Sequence, residues 1–334
     1  MTLISNESVF DEEFIPQMLI KRKKQIDQIT SYLKPITLGH KAPNLLLHGS
    51  PGTGKTVTGK FILKKFSRKV RTCYINCSIH RSLHSVLDYM VSQLRVLGGF
   101  QQSVNAKLKA LEKHLSQPMV IMLDEIDWPS PKDRDIILYN FLKFPTVSLM
   151  LICASRYSVL EMDKRVISRL NLLPVEFPPY SEDDLFRILR QRAKLGLSPG
   201  AWDEDLIRKV VGMTDSDVRV AIKTLYNAAV TAETMKSEKI LPEHINKGLV
   251  RAKELERKYK IEKLGVYPKM IYRIVDKVGL ISSSNLFKEC LKRCRELNIP
   301  PMPRRSYFYH INNLLRDKLI EAEDYGERYF KVRR

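Results

Sequence analysis

The chain has 334 residues, and its 57 Lys and Arg against 37 Asp and Glu give a formal net charge of +20. This length suggests roughly two or three domains, and a composition that is 44% hydrophobic excludes a disordered polyelectrolyte. No apolar stretch approaches the roughly 18 residues of a membrane helix, and no signal-peptide pattern opens the chain, so we expect a cytoplasmic protein. The positive charge favours a polyanionic partner; a merely solubilising basic surface is the alternative.

The five cysteines are predicted to be ordinary buried or half-buried thiols. Cys73 with Cys77 and Cys290 with Cys294 have C-x₃-C spacing, but neither pair is joined by a second pair or by a His at zinc-site spacing. We therefore expect neither a zinc site nor a disulfide framework.

Five short apolar runs alternate with helix-length segments in the first half of the chain. The runs are residues 44–48, 70–76, 119–124, 147–153 and 172–177, and the helices are predicted at residues 22–33, 55–66, 82–97 and 133–144. Strands that alternate with helices predict a mostly parallel sheet covered by helices. Residues 1–178 are therefore predicted to form an α/β domain.

Helical spacing of apolar residues dominates the next segment. The predicted helices are residues 183–194, 203–211 and 217–234, followed by a charged helix at residues 242–260. Residues 179–264 are therefore predicted to be a helical domain with a linker helix. Residues 265–334 form a third, basic unit, with helices at 268–278, 284–297 and 304–318 and a hairpin at 319–332. Three helices and a β-hairpin are typical of a winged helix.

A glycine-rich loop lies between the first predicted strand and the next helix. It fits G-x-x-x-x-G-K-[ST] and consists of Gly49, Ser50, Pro51, Gly52, Thr53, Gly54, Lys55 and Thr56. The glycines allow backbone N–H groups to surround a phosphate, and the following helix directs its positive end at the anion. Lys55 is predicted to reach the terminal phosphates, and Thr56 to bind Mg²⁺. The sequence therefore predicts a site for ATP or ADP, which we call the P-loop.

A second motif places carboxylates beside the P-loop. The apolar run at residues 119–124 ends in Asp124, and Glu125 follows directly. Because ligands of parallel sheets bind at the carboxyl ends of the strands, Asp124 is predicted to hold Mg²⁺ through water and Glu125 to act as general base. Asp127 is predicted to be structural.

These motifs, followed by a small helical domain, resemble the AAA+ ATPases, and more narrowly the Orc/Cdc-type replication initiators of archaea. The resemblance covers nearly the whole chain. It is carried by the leader at residues 9–16 with Arg22, the P-loop, Asn76-Cys77, residues 123–127, 165–170, 177–180 and 217–219, and the winged-helix pattern. The fold that it implies is a five-stranded parallel P-loop sheet with a helical lid domain and a C-terminal winged-helix domain.

The resemblance implies roles for several further residues. Arg169, or alternatively Arg165, looks like the arginine that reaches the γ-phosphate of a neighbouring subunit. Arg219 looks like a sensor that contacts the γ-phosphate in its own chain. Without the family pattern, each arginine would be interpreted as solvated or ion-paired. The leader residues Phe10 and Ile15, together with Arg22, resemble the segment that packs against adenine.

One position departs from the family. The strand at residues 147–153 is followed by Ala154-Ser155-Arg156, and Arg156 stands where the family has a polar sensor, usually Asn. Arginine can donate to a γ-phosphate but cannot accept a hydrogen bond from the attacking water. We therefore expect ATP binding with slow hydrolysis.

The last predicted helix has two faces. Phe308, Ile311, Leu314 and Leu315 have the spacing of a buried face. The predicted DNA contacts lie on the other face and in the wing, and they are Arg304, Arg305, Tyr309, Asn312, Arg316, Arg328, Tyr329 and Lys331. A winged helix that contacts protein is the alternative, because Asp324 and Glu327 at the wing tip would be repelled by phosphate.

The resemblance implies an ATP-switched replication initiator that binds double-stranded origin DNA in the nucleoid and assists loading of the replicative helicase, together with other initiator subunits. A nucleotide-gated signalling or transcription regulator with a winged helix is the alternative function. A DNA-binding paralogue that does not hydrolyse ATP is a third, and it is supported by Arg156.

Overall fold

The computed structural model describes residues 2–96, 103–155, 162–214 and 217–333. The chain divides into two compact units, Met1–Leu249 and Val250–Arg334. No described helix is long and apolar enough to cross a membrane. All five cysteines are buried, as the sequence predicts.

A parallel sheet forms the centre of the first unit. Its strands are β1 (Leu45–His48), β2 (Arg71–Asn76), β3 (Met119–Asp124), β4 (Val147–Cys153) and β5 (Leu173–Glu176). They lie in the order β2-β3-β4-β1-β5, and every pair is parallel. All residues of β3 and β4 are buried, which explains their uninterrupted apolar sequences. The predicted five-stranded parallel sheet is confirmed.

Helices surround this sheet. They are α1 (Lys23–Leu33), α2 (Lys55–Phe66), α3 (Leu83–Gln93), α4 (Val104–Leu115), α5 (Pro131–Phe141) and α6 (Lys164–Leu170). The helix predicted at residues 82–97 is shorter than expected, because the chain turns at Arg95 with a φ of 52°. The helix predicted at residues 133–144 begins earlier, because Ser130 caps it and Pro131 suits its first turn.

Three helices that we call the lid helices follow the sheet: α7 (Glu182–Gly196), α8 (Glu204–Gly212) and α9 (Val218–Thr234). The next helix, α10, spans Pro242–Lys263. Ser181 and Asp184 form a capping box at the start of α7. The amino-terminal segment completes the core of the lid helices, where Phe10 packs against Gly196 at a point that leaves no room for a Cβ atom.

The second unit contains α11 (Val266–Val278), β6 (Leu280–Ser282), α12 (Ser283–Glu296), α13 (Arg304–Arg316), β7 (Ile320–Asp324) and β8 (Arg328–Val332). Its strands form an antiparallel sheet in the order β6-β8-β7. The three predicted helices and the hairpin are present. The short strand β6 was not predicted, because its three residues become a strand only by pairing with the distant β8.

The buried face of α13 differs from the prediction at one position. Tyr307 is 1% exposed and belongs to the core, whereas Phe308, which was predicted to be buried, is 45% exposed. Tyr307, Ile311 and Leu314 are separated by four and three residues, which also puts them on one face of the helix. The Tyr307 hydroxyl donates to the carbonyl oxygen of Ser283 at 3.1 Å, so its polar end is satisfied in the core.

Truncation at these two neighbouring positions is therefore expected to have very different effects. Tyr307→Ala should lower the opening free energy of the C-terminal unit by about 3 kcal/mol, because it leaves a cavity, whereas Phe308→Ala should cost less than about 1 kcal/mol. Hydrogen exchange of amides in that unit measures both effects. Equal losses for the two variants would contradict this assignment of the core.

Candidate functional site

The P-loop connects β1 to α2 and depends on two glycines. Gly52 and Gly54 both have a φ of 78°, in the left-handed region that glycine adopts without a penalty. A Cβ atom at Gly52 would lie 2.8 Å from Oδ1 of Asp217, and one at Gly54 would lie 2.5 Å from the hydroxyl of Tyr180. The loop is therefore closely surrounded by the start of α9 and by the segment after β5.

Lys55 begins α2 and is buried. Its ammonium group donates to the carbonyl oxygens of Gly49 at 2.6 Å and Ser50 at 2.9 Å. Burial lowers the pKa of Lys55, and the nearby carboxylate of Asp124 partly opposes that effect. A phosphate group would offer this cation stronger acceptors than two carbonyl groups do.

Asp124 lies at the end of β3 and is 2% exposed. Its Oδ1 accepts a hydrogen bond from the backbone N–H of Glu125 at 3.0 Å, and its Oδ2 accepts one from the Tyr74 hydroxyl at 3.2 Å. Burial is the main cause that raises the pKa of Asp124 to about 6, whereas hydrogen bonds from Thr56 and Tyr74 act in the opposite direction. The carboxylate is thus held by donors from three different elements.

The turn after β3 determines where Glu125 lies. Glu125 has a φ of 53°, which is costly for a residue with a side chain and is common at functional sites. The next N–H, that of Ile126, donates to the carbonyl oxygen of Ile152 in β4. Asp127 accepts a hydrogen bond from the N–H of Ala154 at 3.2 Å, which agrees with the structural role predicted for it.

The residues at this site fit a magnesium ion that is shared with a nucleotide. The Thr56 hydroxyl is hydrogen-bonded to the Asp124 carboxylate, so two hard oxygen ligands lie together beside the P-loop. Among the described residues, no group of three or more His, Cys, Asp and Glu side chains could hold a metal. Mg²⁺ needs no such group, because it is usually bound by one or two protein oxygens together with phosphates and water.

Arg22 is buried against the P-loop and forms hydrogen bonds that hold it in place. It is 1% exposed, and its guanidinium donates to the carbonyl oxygens of Thr53 at 3.1 Å and Pro178 at 2.8 Å. The same group lies 3.9 Å from the ring centre of Tyr180. Arg22 therefore fixes the loop against the segment that follows β5.

The two other leader residues lie elsewhere. The ring of Phe10 is buried in the core of the lid helices, 5.6 Å from the ring of Tyr226. Ile15 is half-buried. Of the three residues that the resemblance assigns to adenine, only Arg22 is bonded to the P-loop in the structure.

The predicted phosphate-sensing arginines occupy two environments. Arg219 lies in the first turn of α9, where its guanidinium is 3.7 Å from the Asp217 carboxylate, and its charge contributes to the lowered pKa of Lys55. Arg165 and Arg169 are exposed on α6, and Arg169 lies 5.3 Å from the ring centre of Tyr139. Such exposure suits contact with another molecule. Arg156 lies outside the described residues.

All the predicted DNA-contacting residues of α13 are exposed to solvent. They are Arg304, Arg305, Tyr309, Asn312 and Arg316. In the hairpin, Arg328 is exposed, Tyr329 is half-buried, and Lys331 is paired with Glu323 and with Glu321 at 3.3 Å. The positive charge of Lys331 is therefore largely balanced within the hairpin. Glu327 accepts a hydrogen bond from the N–H of Ser284, which ties the tip of the hairpin to α12.

The sequence analysis did not identify Tyr74, whose hydroxyl donates a hydrogen bond to the Asp124 carboxylate. The pairing of Asn76 with Asp124 across β2 and β3 places Tyr74 two residues earlier on the same face of β2. Residues two positions apart lie on the same face of a strand. A search of β2, the strand next to β3, for polar residues on the face of Asn76 would therefore have found Tyr74.

Comparisons with known proteins agree with this architecture. The AAA ATPase domain family matches residues 18–152, and the Cdc6 AAA+ ATPase-type lid domain family matches residues 186–249. A curated relative named ORC1-type DNA replication protein, from Thermococcus onnurineus, is 28% identical, and the alignment covers 97% of this chain and 86% of the relative. ORC1-type DNA replication protein 1 from Halobacterium salinarum is 26% identical, over 85% of this chain and 94% of the relative.

Solved structures share the fold over the whole chain. The Aeropyrum pernix ORC1 protein in complex with DNA superposes with a TM-score of 0.81 at 23% identity, covering 100% of this chain and 94% of that one. The Pyrobaculum aerophilum Cdc6p structure has a TM-score of 0.68 at 23% identity, over 99% and 94% of the two chains. The Aeropyrum pernix ORC2 protein in ADPNP-ADP complexes has a TM-score of 0.65 at 21% identity, over 99% and 94%.

The buried carboxylate of Asp124 is expected to destabilise the protein in the absence of metal. Its pKa is raised from 3.8 to about 6, so the folded chain loses stability as the pH rises through that interval. Asp124→Asn should therefore raise the free energy of unfolding in EDTA by about 1–3 kcal/mol at about pH 7.5, and by much less at about pH 4. Urea denaturation at the two pH values measures the difference. A gain of the same size at both would contradict the assignment.

Proposed function

We propose that this chain, which belongs to the ORC1/Cdc6-type family of AAA+ proteins, is an ATP-switched replication initiator that binds origin DNA and assists loading of the replicative helicase. The observation that carries the proposal is the contact between the P-loop and the lid: the carboxylate of Asp217, which caps α9, lies against Gly52. A nucleotide in the loop is therefore sensed directly by the lid. The relatives are named as replication proteins, and we extend that role to this chain.

In this proposal the P-loop binds ATP or ADP. Its backbone N–H groups and the positive end of α2 face the phosphates, and the Lys55 ammonium exchanges its two carbonyl partners for phosphate oxygens. Thr56 and Asp124 would hold Mg²⁺, which neutralises phosphate charge. The A. pernix ORC2 protein, which shares the fold, has been solved in ADPNP-ADP complexes.

The chain is proposed to hydrolyse ATP slowly. Glu125, which directly follows Asp124 at the end of β3, would accept a proton from water. Arg169, exposed on α6, would supply charge to the γ-phosphate of a neighbouring subunit, and Arg165 is the alternative residue for that role. Full activity would then require assembly with other initiator subunits. Arg156 at the sensor position favours nucleotide retention over turnover.

The C-terminal unit is proposed to bind DNA as a winged helix. The exposed face of α13 carries side chains that can bond both base edges and phosphates, and Arg328 extends from the hairpin. The A. pernix ORC1 protein, which shares the fold, has been solved in complex with DNA. We place the protein in the cytoplasm on the nucleoid, with the replicative helicase as a further partner.

The nucleotide site can be tested by two substitutions with different outcomes. Lys55→Ala should lower ATP affinity by about 100-fold or more, because it removes charge-assisted hydrogen bonds worth about 3 kcal/mol. Glu125→Gln should keep the affinity within about twofold of wild type and slow hydrolysis by about 100-fold. Lys64→Ala, at the exposed end of α2, is the matched control. Equal ATP affinity in wild type and Lys55→Ala would reject the site.

The DNA-binding face can be tested with sheared genomic DNA. The protein is incubated with ATP and DNA from its source organism at near-physiological salt, and the bound fragments are sequenced, because low salt would favour nonspecific binding. We expect enrichment at one or a few intergenic loci, and Arg305→Ala should reduce that enrichment about tenfold.

Arg293→Ala is the matched control, since Arg293 is an arginine of the same unit that is already paired with Glu296 at 2.7 Å. Unchanged enrichment with Arg305→Ala would contradict the role of α13. Enrichment of the wild-type protein at many promoters would instead indicate a transcription regulator.

A further inference from the structure

Tyr74 connects the second strand to the carboxylate of Asp124. The two residues lie on adjacent parallel strands, β2 and β3, and the Tyr74 hydroxyl donates to Oδ2 of Asp124 at 3.2 Å. The other oxygen, Oδ1, is held by the N–H of Glu125 at 3.0 Å. Because these two donors hold different oxygens, rotation of the carboxylate would break both hydrogen bonds.

The ring of Tyr74 is itself held by a cation. The ammonium of Lys60 lies 4.3 Å from the ring centre, within the range of a cation–π contact. The Lys60 side chain is 11% exposed, and it forms an ion pair with Glu13 of the leader. Lys60 lies four residues after Thr56 on α2, so one face of this helix carries both the hydroxyl that bonds Asp124 and the cation that covers Tyr74.

These contacts form a continuous chain of neighbours. Glu13 holds Lys60, Lys60 covers the ring of Tyr74, and the hydroxyl of Tyr74 reaches Asp124. Partners of metal-binding side chains commonly fix the orientation of the group that faces the metal. A phenol hydroxyl suits this purpose on a carboxylate, because it donates one hydrogen bond and leaves the other lone pairs of the oxygen available.

We propose that Tyr74 is a positioning residue for magnesium binding: it fixes the Asp124 carboxylate in the orientation that faces the metal of a nucleotide complex, and Lys60 fixes the tyrosine ring. This inference rests on the proposed function of the P-loop as an ATP site. It assigns Tyr74 no contact with the nucleotide itself. The role is therefore visible only in the dependence of nucleotide binding on Mg²⁺.

The test is a titration of ATP binding with Mg²⁺, using the full chain and a fluorescent ATP analogue. Tyr74→Phe keeps the ring and removes only the hydroxyl. Its affinity for the analogue in EDTA should stay within about twofold of wild type, and the Mg²⁺ concentration for half-maximal enhancement should rise about tenfold. Lys60→Met keeps the length of the side chain and should raise that concentration about threefold, since it only loosens the ring.

Tyr325→Phe is the matched control. Tyr325 donates to the carboxylate of Glu323 at 2.8 Å in the C-terminal hairpin, so the control removes the same kind of hydrogen bond outside the P-loop. It should leave both the EDTA affinity and the Mg²⁺ requirement unchanged.

Two results would overturn the role of Tyr74. One is an unchanged Mg²⁺ requirement in Tyr74→Phe, and the other is an equal loss of affinity with and without Mg²⁺, which would indicate a general structural role. Failure of the wild-type protein to bind the analogue under any condition would instead reject the proposed ATP site, and this inference with it. The two failures are thus distinguished by the wild-type titration alone.

Discussion

A carboxylate buried at the end of β3 is the constraint on which the nucleotide site depends. Ionised Asp124 is unfavourable in the interior, so the surrounding elements must supply donors and positive charge. Thr56 comes from α2, Tyr74 from β2, and Lys55 adds a cation whose pKa responds to Asp124. The strand order, with β3 beside β2, makes this convergence possible. The same burial that makes the ionised Asp124 carboxylate unfavourable holds it where a bound cation would stabilise its charge.

The leader joins the P-loop helix to the lid helices through adjacent carboxylates. Glu12 pairs with Lys223 of α9, and Glu13 pairs with Lys60 of α2. Earlier in the leader, the carbonyl oxygen of Val9 accepts a hydrogen bond at 2.5 Å from Arg192, a buried residue of α7. Single exposed ion pairs contribute little to stability. Their value here is positional, because one short segment contacts both α2, which follows the P-loop, and α9, which begins beside it.

The sequence alone predicted the structure correctly where a local pattern determines it. It did not predict contacts between segments that are distant in the chain. Apolar runs located the five strands, and the glycine spacing located the P-loop, because both signals lie within a few residues. Tyr307 and Phe308 are neighbours on one helix, and the buried ring is that of Tyr307, whose hydroxyl reaches the carbonyl oxygen of the distant Ser283. Arg22 bonds residues far along the chain, and the partner of Tyr74 can be assigned only once β2 and β3 are known to be neighbours.

The start of α9 is where the proposed coupling between the P-loop and the lid helices would act. Asp217 caps the helix by accepting hydrogen bonds from the N–H groups of Arg219 and Val220, and its carboxylate lies against Gly52. Arg219 carries the opposite charge two residues later. In the proposed switch, a phosphate bound in the loop would repel Asp217 and attract Arg219. Because Asp217 caps α9, the two opposite forces would act at the point where this lid helix begins.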